Sequence, residues 1–212
     1  GYGGTGGDAA IELSPPAKGG SSYGDPNSRE IQMGSPGGDF EVSGTKVPGG
    51  DGGGALTLHA DSLEITGLLS SDGQNGVKEA VSGGGSGGGI LLAANNLTLT
   101  GTLSAQGGNG TNYQPDPISD PMGTSIAGGG GSGGRVKVFY GAAELENIAG
   151  FTLSVDGGNP GEIPGGLSGE PGQKGSSCLL PLLPGDLNNN GIVDFRDFSR
   201  FSENWLEQNS LE

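Results

Sequence analysis

The sequence is poor in the residues that most often carry chemistry or cross-links. Its 212 residues include one cysteine, one histidine, and nine lysines and arginines together. With Cys178 alone, no disulfide can form within the chain. An incidental thiol in apolar surroundings, or a disulfide to another molecule, stay open for it. One histidine, His59, cannot supply a Ser-His-Asp or Cys-His arrangement, and it reads as a structural residue of a strand. Nine basic residues stand against 24 acidic ones, a net charge of −15. That leaves no basic footprint for nucleic acid and no attraction to anionic lipid. No apolar run approaches the roughly 18 residues that read as a membrane helix, so no membrane span is expected. No initiator Met or signal peptide is present, and the start Gly1-Tyr2-Gly3-Gly4 reads as a mature or trimmed product.

What is abundant is glycine: 49 Gly and 13 Pro. At that level a chain is disordered unless the other residues show periodic burial. They do, and in repeats. Residues 56–76 align without a gap on residues 90–110 at an offset of 34. Leu56 meets Ile90, Leu58 meets Leu92, Leu63 meets Leu97, Ile65 meets Leu99, and Leu69 meets Leu103. Asn75-Gly76 meets Asn109-Gly110. A looser third copy places Val136, Val138 and Tyr140 on Ile90, Leu92 and Ala94. After an insertion it places Leu153 and Val155 on Leu103 and Ala105.

Inside each copy the apolar period is two, with Thr98, Thr100 and Thr102 between Leu97, Leu99 and Leu103. That is the pattern of half-buried strands. Like residues stacked on like suggest coils that bury their inner faces against one another. The expected fold class is therefore all-β: a glycine-rich β-solenoid, as a right-handed parallel β-helix, over residues 1–175. An antiparallel β-sandwich, with the Asn-Gly pairs as hairpin turns, is the alternative. Proline marks 176–185 as a linker, and 186–208 as a small C-terminal unit. The glycine runs lack the Lys-Ser/Thr of a phosphate loop. They read as tight turns or as polyglycine II-like packing. The run Gly-Gly-Gly-Ser-Gly-Gly before a strand, with the Ser-Ala-x-Gly-Gly-Asn-Gly that closes residues 83–110, resembles glycine-rich repeats of large secreted surface proteins of environmental bacteria. The resemblance implies an extracellular or cell-surface location and a structural role.

The motif that carries chemistry is DLNNNGIVDFRD at 186–197. It spaces oxygen ligands as a 12-residue calcium loop does. Asp186, Asn188 and Asn190 take positions 1, 3 and 5, and Gly191 the sharp turn. Ile192 offers its carbonyl at position 7, and Asp194 and Asp197 take positions 9 and 12. Calcium is the expected cofactor. With Asp at position 12 and Pro184 forbidding an entering helix, the segment is similar to a type I dockerin repeat, present in one copy where dockerins carry two. Phe195, Phe198, Phe201 and Trp205 recur every three or four residues and predict an exiting helix with one aromatic stripe. The stripe is expected to pack on the β-domain or on another subunit.

No catalytic constellation emerges, so the chain is not expected to be an enzyme. The leading expectation is a calcium-stabilised structural protein of a cell surface or matrix that self-associates into fibres or attaches to a surface scaffold. One alternative is a carbohydrate-binding or adhesion module, with Tyr2, Tyr23, Tyr113 and Tyr140 as candidate platforms. The other is a polysaccharide-degrading β-helix enzyme using Arg135 and Lys137 of one strand, near Asp156 in sequence order only. Asn96-Leu97-Thr98 and Asn109-Gly110-Thr111 are glycosylation sequons.

Overall fold

The computed structural model describes residues 1–11, 14–26, 28–42, 45–77, 81–113, 125–141, 150–163, 167–187 and 193–207. Two hairpins come first: β1 (Ala9–Ile11) with β2 (Ser14–Ala17), and β3 (Phe40–Val42) with β4 (Thr45–Val47). The first full repeat copy follows as β5 (Ala55–Ile65) and β6 (Leu68–Ser70). The second is β7 (Gly89–Leu99) and β8 (Thr102–Ser104). After β9 (Asn112–Tyr113) and β10 (Ile126–Ala127), the third copy gives β11 (Arg135–Tyr140) and β12 (Thr152–Ser154). Then come β13 (Glu162–Ile163), β14 (Leu167–Ser168), β15 (Ser176–Pro181) and the helix α1 (Phe195–Glu207). Part of the stretch read as a linker is thus itself a strand.

The repeat alignment is also the pairing register. Leu56, Leu58, Leu63 and Ile65 of β5 lie beside Ile90, Leu92, Leu97 and Leu99 of β7. Val136, Val138 and Tyr140 of β11 lie beside Ile90, Leu92 and Ala94. The result is a parallel sheet in the order β15-β11-β7-β5, faced by a second parallel sheet, β12-β8-β6. Between them Ile90, Leu92, Leu97, Leu99, Leu103, Val136 and Val138 are buried to 1 % exposure or less. Each contributes about 1.5–3 kcal/mol by leaving water.

The architecture is nevertheless neither the expected β-solenoid, a right-handed parallel β-helix, nor the antiparallel β-sandwich. Among the described residues it is a set of small sheets, two parallel and three antiparallel, with one helix. The antiparallel sheets are β2-β1-β10-β9, β3-β4 and β13-β14. The physical reason lies in the glycine runs. They are not corners joining the strands of a coil but extended segments that bond to one another.

In the run 83–88, residues three apart donate to the same neighbour. Gly83 and Ser86 donate to the carbonyls of Gly38 and Ser35, Gly84 and Gly87 to those of Gly129 and Ser132, and Gly85 and Gly88 to those of Gln74 and Ser71. A three-residue cycle with all bonds directed outward is the geometry of a polyproline II-type helix, here in its polyglycine form. The run 128–134 repeats the device. Gly128, Gly131 and Gly134 donate to Thr111, Gly108 and Ala105, while Gly130 and Gly133 donate to Glu170 and Gln173. Glycine is required because the backbones touch. A Cβ on Gly108 would lie 1.8 Å from the Gln74 carbonyl oxygen, and one on Gly84 1.9 Å from that of Gly108. Real Cβ contacts do not come that close. The entropy lost by ordering glycine is offset here by backbone hydrogen bonds made in a dense, side-chain-free layer.

Candidate metal centre

The far face of the four-stranded parallel sheet carries two cations, Arg135 and Lys137, which stand near Asp156 in sequence order only. Arg135 is 5 % exposed and Lys137 2 %. Burying an ammonium is costly unless its donors are met, and five carbonyls between Tyr23 and Glu30 meet them. Lys137 Nζ donates to the backbone carbonyls of Asp25 (3.1 Å), Glu30 (3.0 Å) and Ser28, and Arg135 Nη2 to those of Tyr23 (3.1 Å) and Gly24 (3.0 Å). The described residues 23–26 and 28–30 thus form a strap over β11. Burial pushes the Lys137 ammonium below the usual lysine range, against the opposing pull of Cys178, Asp25 and Glu30. Asp156 is elsewhere, paired with Lys174 at 2.8 Å.

The strap leads to the C-terminal loop through one side chain. Arg29 lies with its guanidinium carbon 4.1 Å from the centroid of Phe139. Its Nη2 is 3.2 Å from Asp186 Oδ2, the carboxylate at position 1 of the candidate calcium loop. The Asp186 side chain is fully enclosed and that of Arg29 is 13 % exposed. Phe139, Leu91, Ala93 and Leu182 form a second apolar cluster beneath, with Ile31 at its edge. Burial lowers the Arg29 pKa, and Asp186 and Cys178 oppose that shift. Arg29 Nε and Nη1 find no hydrogen-bond partner among the described residues.

At the other end of the loop, Asp194 and Asp197 cap the helix reciprocally. Arg196 N–H donates to Asp194 Oδ1 at 2.8 Å, and Asp194 N–H to Asp197 Oδ2 at 2.8 Å. This is a capping box with Asp in place of Glu, and it explains why α1 begins at Phe195. Asp197 is 2 % exposed. Asn188, Asn190 and Ile192 lie outside the described residues. Asp186 and Asp197 are each enclosed and Asp186 already faces a guanidinium, but among the described residues no three acidic, histidine or cysteine side chains come together as a group that could hold a metal ion.

Three residues of the predicted aromatic stripe are exposed. Phe195 is 90 % exposed, Phe198 64 % and Phe201 47 %, with Phe198 and Phe201 ring centroids 6.3 Å apart. Trp205 lies in α1, and its side chain is outside the described set. Of the four tyrosines, Tyr2 and Tyr140 are buried, and Tyr23 and Tyr113 are half-buried. Tyr2 lies between Tyr23 (centroids 5.5 Å apart) and Arg135 (5.2 Å). His59 is exposed on β5. Cys178 is a half-buried free thiol paired in register with Lys137, beside a cavity of about 150 Å³, and burial raises its pKa.

Sequence reasoning missed Arg29 and the strap. No local period marks residues 23–32, whose partners stand more than 100 positions away in β11. The chain matches no protein-family model, no curated protein and no solved structure.

Proposed function

We propose that the chain is a non-enzymatic, extracellular structural element of a cell surface or matrix. It takes calcium at 186–197 and joins further copies of itself through the edges of its repeat sheet. The observation that carries this reading is β5, an 11-residue strand at the edge of the four-stranded parallel sheet. Its Thr57, His59 and Asp61 are exposed, and it is bonded to β7 on one side. An open strand of that length is a template for a further strand. The opposite edge, β15, exposes Leu179 and Leu180 at 37 % and 50 %. The sheet is parallel throughout, so β5 of one copy and β15 of the next can continue it with the same strand polarity. Such a contact is head-to-tail and does not close on itself, so it extends into fibres. The calcium loop follows directly on β15, which puts metal occupancy next to that edge.

The test is particle size by light scattering over a range of concentrations, with calcium and with excess chelator. Growth with concentration in calcium, reduced by chelator or by Lys at both Thr57 and His59, supports the reading. A protein that stays monomeric at high concentration with calcium present ends it.

A further inference from the structure

We infer that the cavity along residues 128–132 is a binding seat for a short, extended, glycine-rich segment of another polypeptide. The two glycine runs are built alike, and one of them lacks a neighbour. In the run 83–88 all three sides of the three-residue cycle are bonded, with Gly83 and Ser86 giving their N–H groups to Gly38 and Ser35. The matching positions of the run 128–134 are Gly129 and Ser132. Both are buried, and their N–H groups have no acceptor among the described residues. The Ser132 hydroxyl, on a side chain of a residue 0 % exposed, has no partner among them either. Its counterpart Ser86 Oγ accepts the Ser35 N–H at 2.7 Å. Buried donors without acceptors are rare in folded proteins, and each needs a reason.

The reason is the space they border. A cavity of about 190 Å³ is lined by residues 128–132 and by residues 35–38, with Ile11, Phe40, Val81 and Ile126 as apolar wall. The spacing of the unmet donors fixes the chemistry of the occupant. Gly129 and Ser132 stand three residues apart in a helix that rises about 3.1 Å per residue, so their N–H groups recur after about 9 Å. A second chain in the same conformation presents carbonyls at the same repeat. Its residues must be small, because neighbouring segments touch through backbone here: a Cβ on Gly129 would lie 2.0 Å from the Gly7 carbonyl oxygen. Residues 34–38, Gly-Ser-Pro-Gly-Gly, are a segment of this kind, and they fill the corresponding seat on Gly83 and Ser86. A chain already extended in this conformation loses little entropy when it docks.

The test follows the amide NMR signals of the whole chain as the end-blocked peptide Gly-Ser-Pro-Gly-Gly is added. The signals of Gly129 and Ser132 are expected to move, while those of Gly131 and Gly133, already bonded within the chain, stay in place. Ser132→Ala should raise the dissociation constant about tenfold, the scale of one enclosed hydrogen bond. It should not lower the melting temperature, because the hydroxyl it removes has no partner to lose. A peptide with leucine in place of both final glycines should not bind. No movement at Gly129 and Ser132 at about 10 mM peptide, ten times a millimolar constant, overturns the inference and leaves the cavity to water. Equal movement at all four amides, or equal binding of the leucine peptide, overturns it too. Should Ser132→Ala fail to fold, the signal map and the leucine peptide decide on the unaltered chain. None of these outcomes involves calcium or the β5 edge, so the seat and the fibre reading stand or fall separately.

Discussion

Gly131 and Gly85 approach so closely that a Cβ on Gly131 would lie 2.0 Å from the Gly85 carbonyl oxygen. The contact joins two glycine runs from different repeat copies, and it explains the abundance of glycine in mechanical terms. The glycines are there to let backbones touch.

Gly131→Ala and Gly108→Ala should therefore each destabilise the protein by at least the roughly 1–3 kcal/mol of an overpacked core, because the obstacle is backbone and cannot rotate away. Gly54 and Gly67 have nothing within 4 Å of the place a Cβ would take, and neither has a positive φ. Alanine there should be neutral, or stabilising by about 0.4–1 kcal/mol through a less flexible unfolded chain. Chemical denaturation of the four variants checks this. Equal effects in both pairs would mean that close approach does not explain the composition.

Lys137→Met should free the strap. It removes the donor that three carbonyls share, and stranded buried acceptors cost about 1–3 kcal/mol. The effect should also be visible at Cys178, which lies in register beside Lys137. In the native chain the thiol is expected to react slowly, being half-buried with its pKa raised by burial. Pro26 of the strap lines the cavity beside Cys178; in Lys137→Met that side should open, and although losing the ammonium that lowers the thiol pKa works against it, labelling by a small thiol reagent should accelerate. Labelling at the native rate would show that the strap is held by something other than Lys137.

How much of this could be read in advance depends on how far each interaction reaches along the chain. The register of β5, β7 and β11 was legible because equivalent residues of successive copies became neighbours: Leu58 beside Leu92, and Leu92 beside Val138. The helix start was legible as the end of a spaced loop, with Asp194 and Asp197 at fixed positions. The architecture was misread because a glycine run has the same sequence as a turn and as a polyglycine segment. Side chains carry the periodic signal, and Gly83–Gly85 have none. Arg135 and Lys137 were read as possible catalytic cations because nothing nearby in sequence shows that the carbonyls of Tyr23, Gly24, Asp25, Ser28 and Glu30 receive them.

Acid should loosen the two N-terminal hairpins before the core. Each is clamped at its base by a carboxylate. Asp8 pairs with Lys18 and accepts the Gly19 N–H at 2.8 Å; Asp39 pairs with Lys46 at 2.5 Å and accepts the Gly49 N–H at 3.0 Å. The lysine hydrogen bond, then the backbone one, holds each carboxyl below its ordinary pKa. A group depressed in the folded state contributes stability that is fully present above its unfolded pKa, about 3.9 for Asp. That contribution is lost as pH falls through the folded value. Both pairs are solvent-exposed, so the effect is local fraying and shrinks in high salt. Amide exchange followed from pH 6 downward should show β1–β2 and β3–β4 opening below about pH 4 while β7 stays protected. Hairpins as protected as β7 at pH 3 would refute the clamp.

The last prediction separates the two roles that Asp197 can hold. As a cap, it needs an acceptor oxygen for the Asp194 N–H, now 2.8 Å away. As a calcium ligand it needs its charge as well. Asp197→Asn keeps an acceptor and removes the charge. Without metal, its melting temperature should stay within a few degrees of the parent, since a carboxamide oxygen can still accept that bond. With calcium at a hundred times its dissociation constant, the parent should gain about 2.7 kcal/mol, or about 5–11 °C for a chain of this size. The variant should lose most of that gain. A variant that gains as much as the parent would remove Asp197 from the ligand set and leave it as a helix cap. A parent that gains nothing from calcium would leave the whole 186–197 loop as a polar turn before a capped helix.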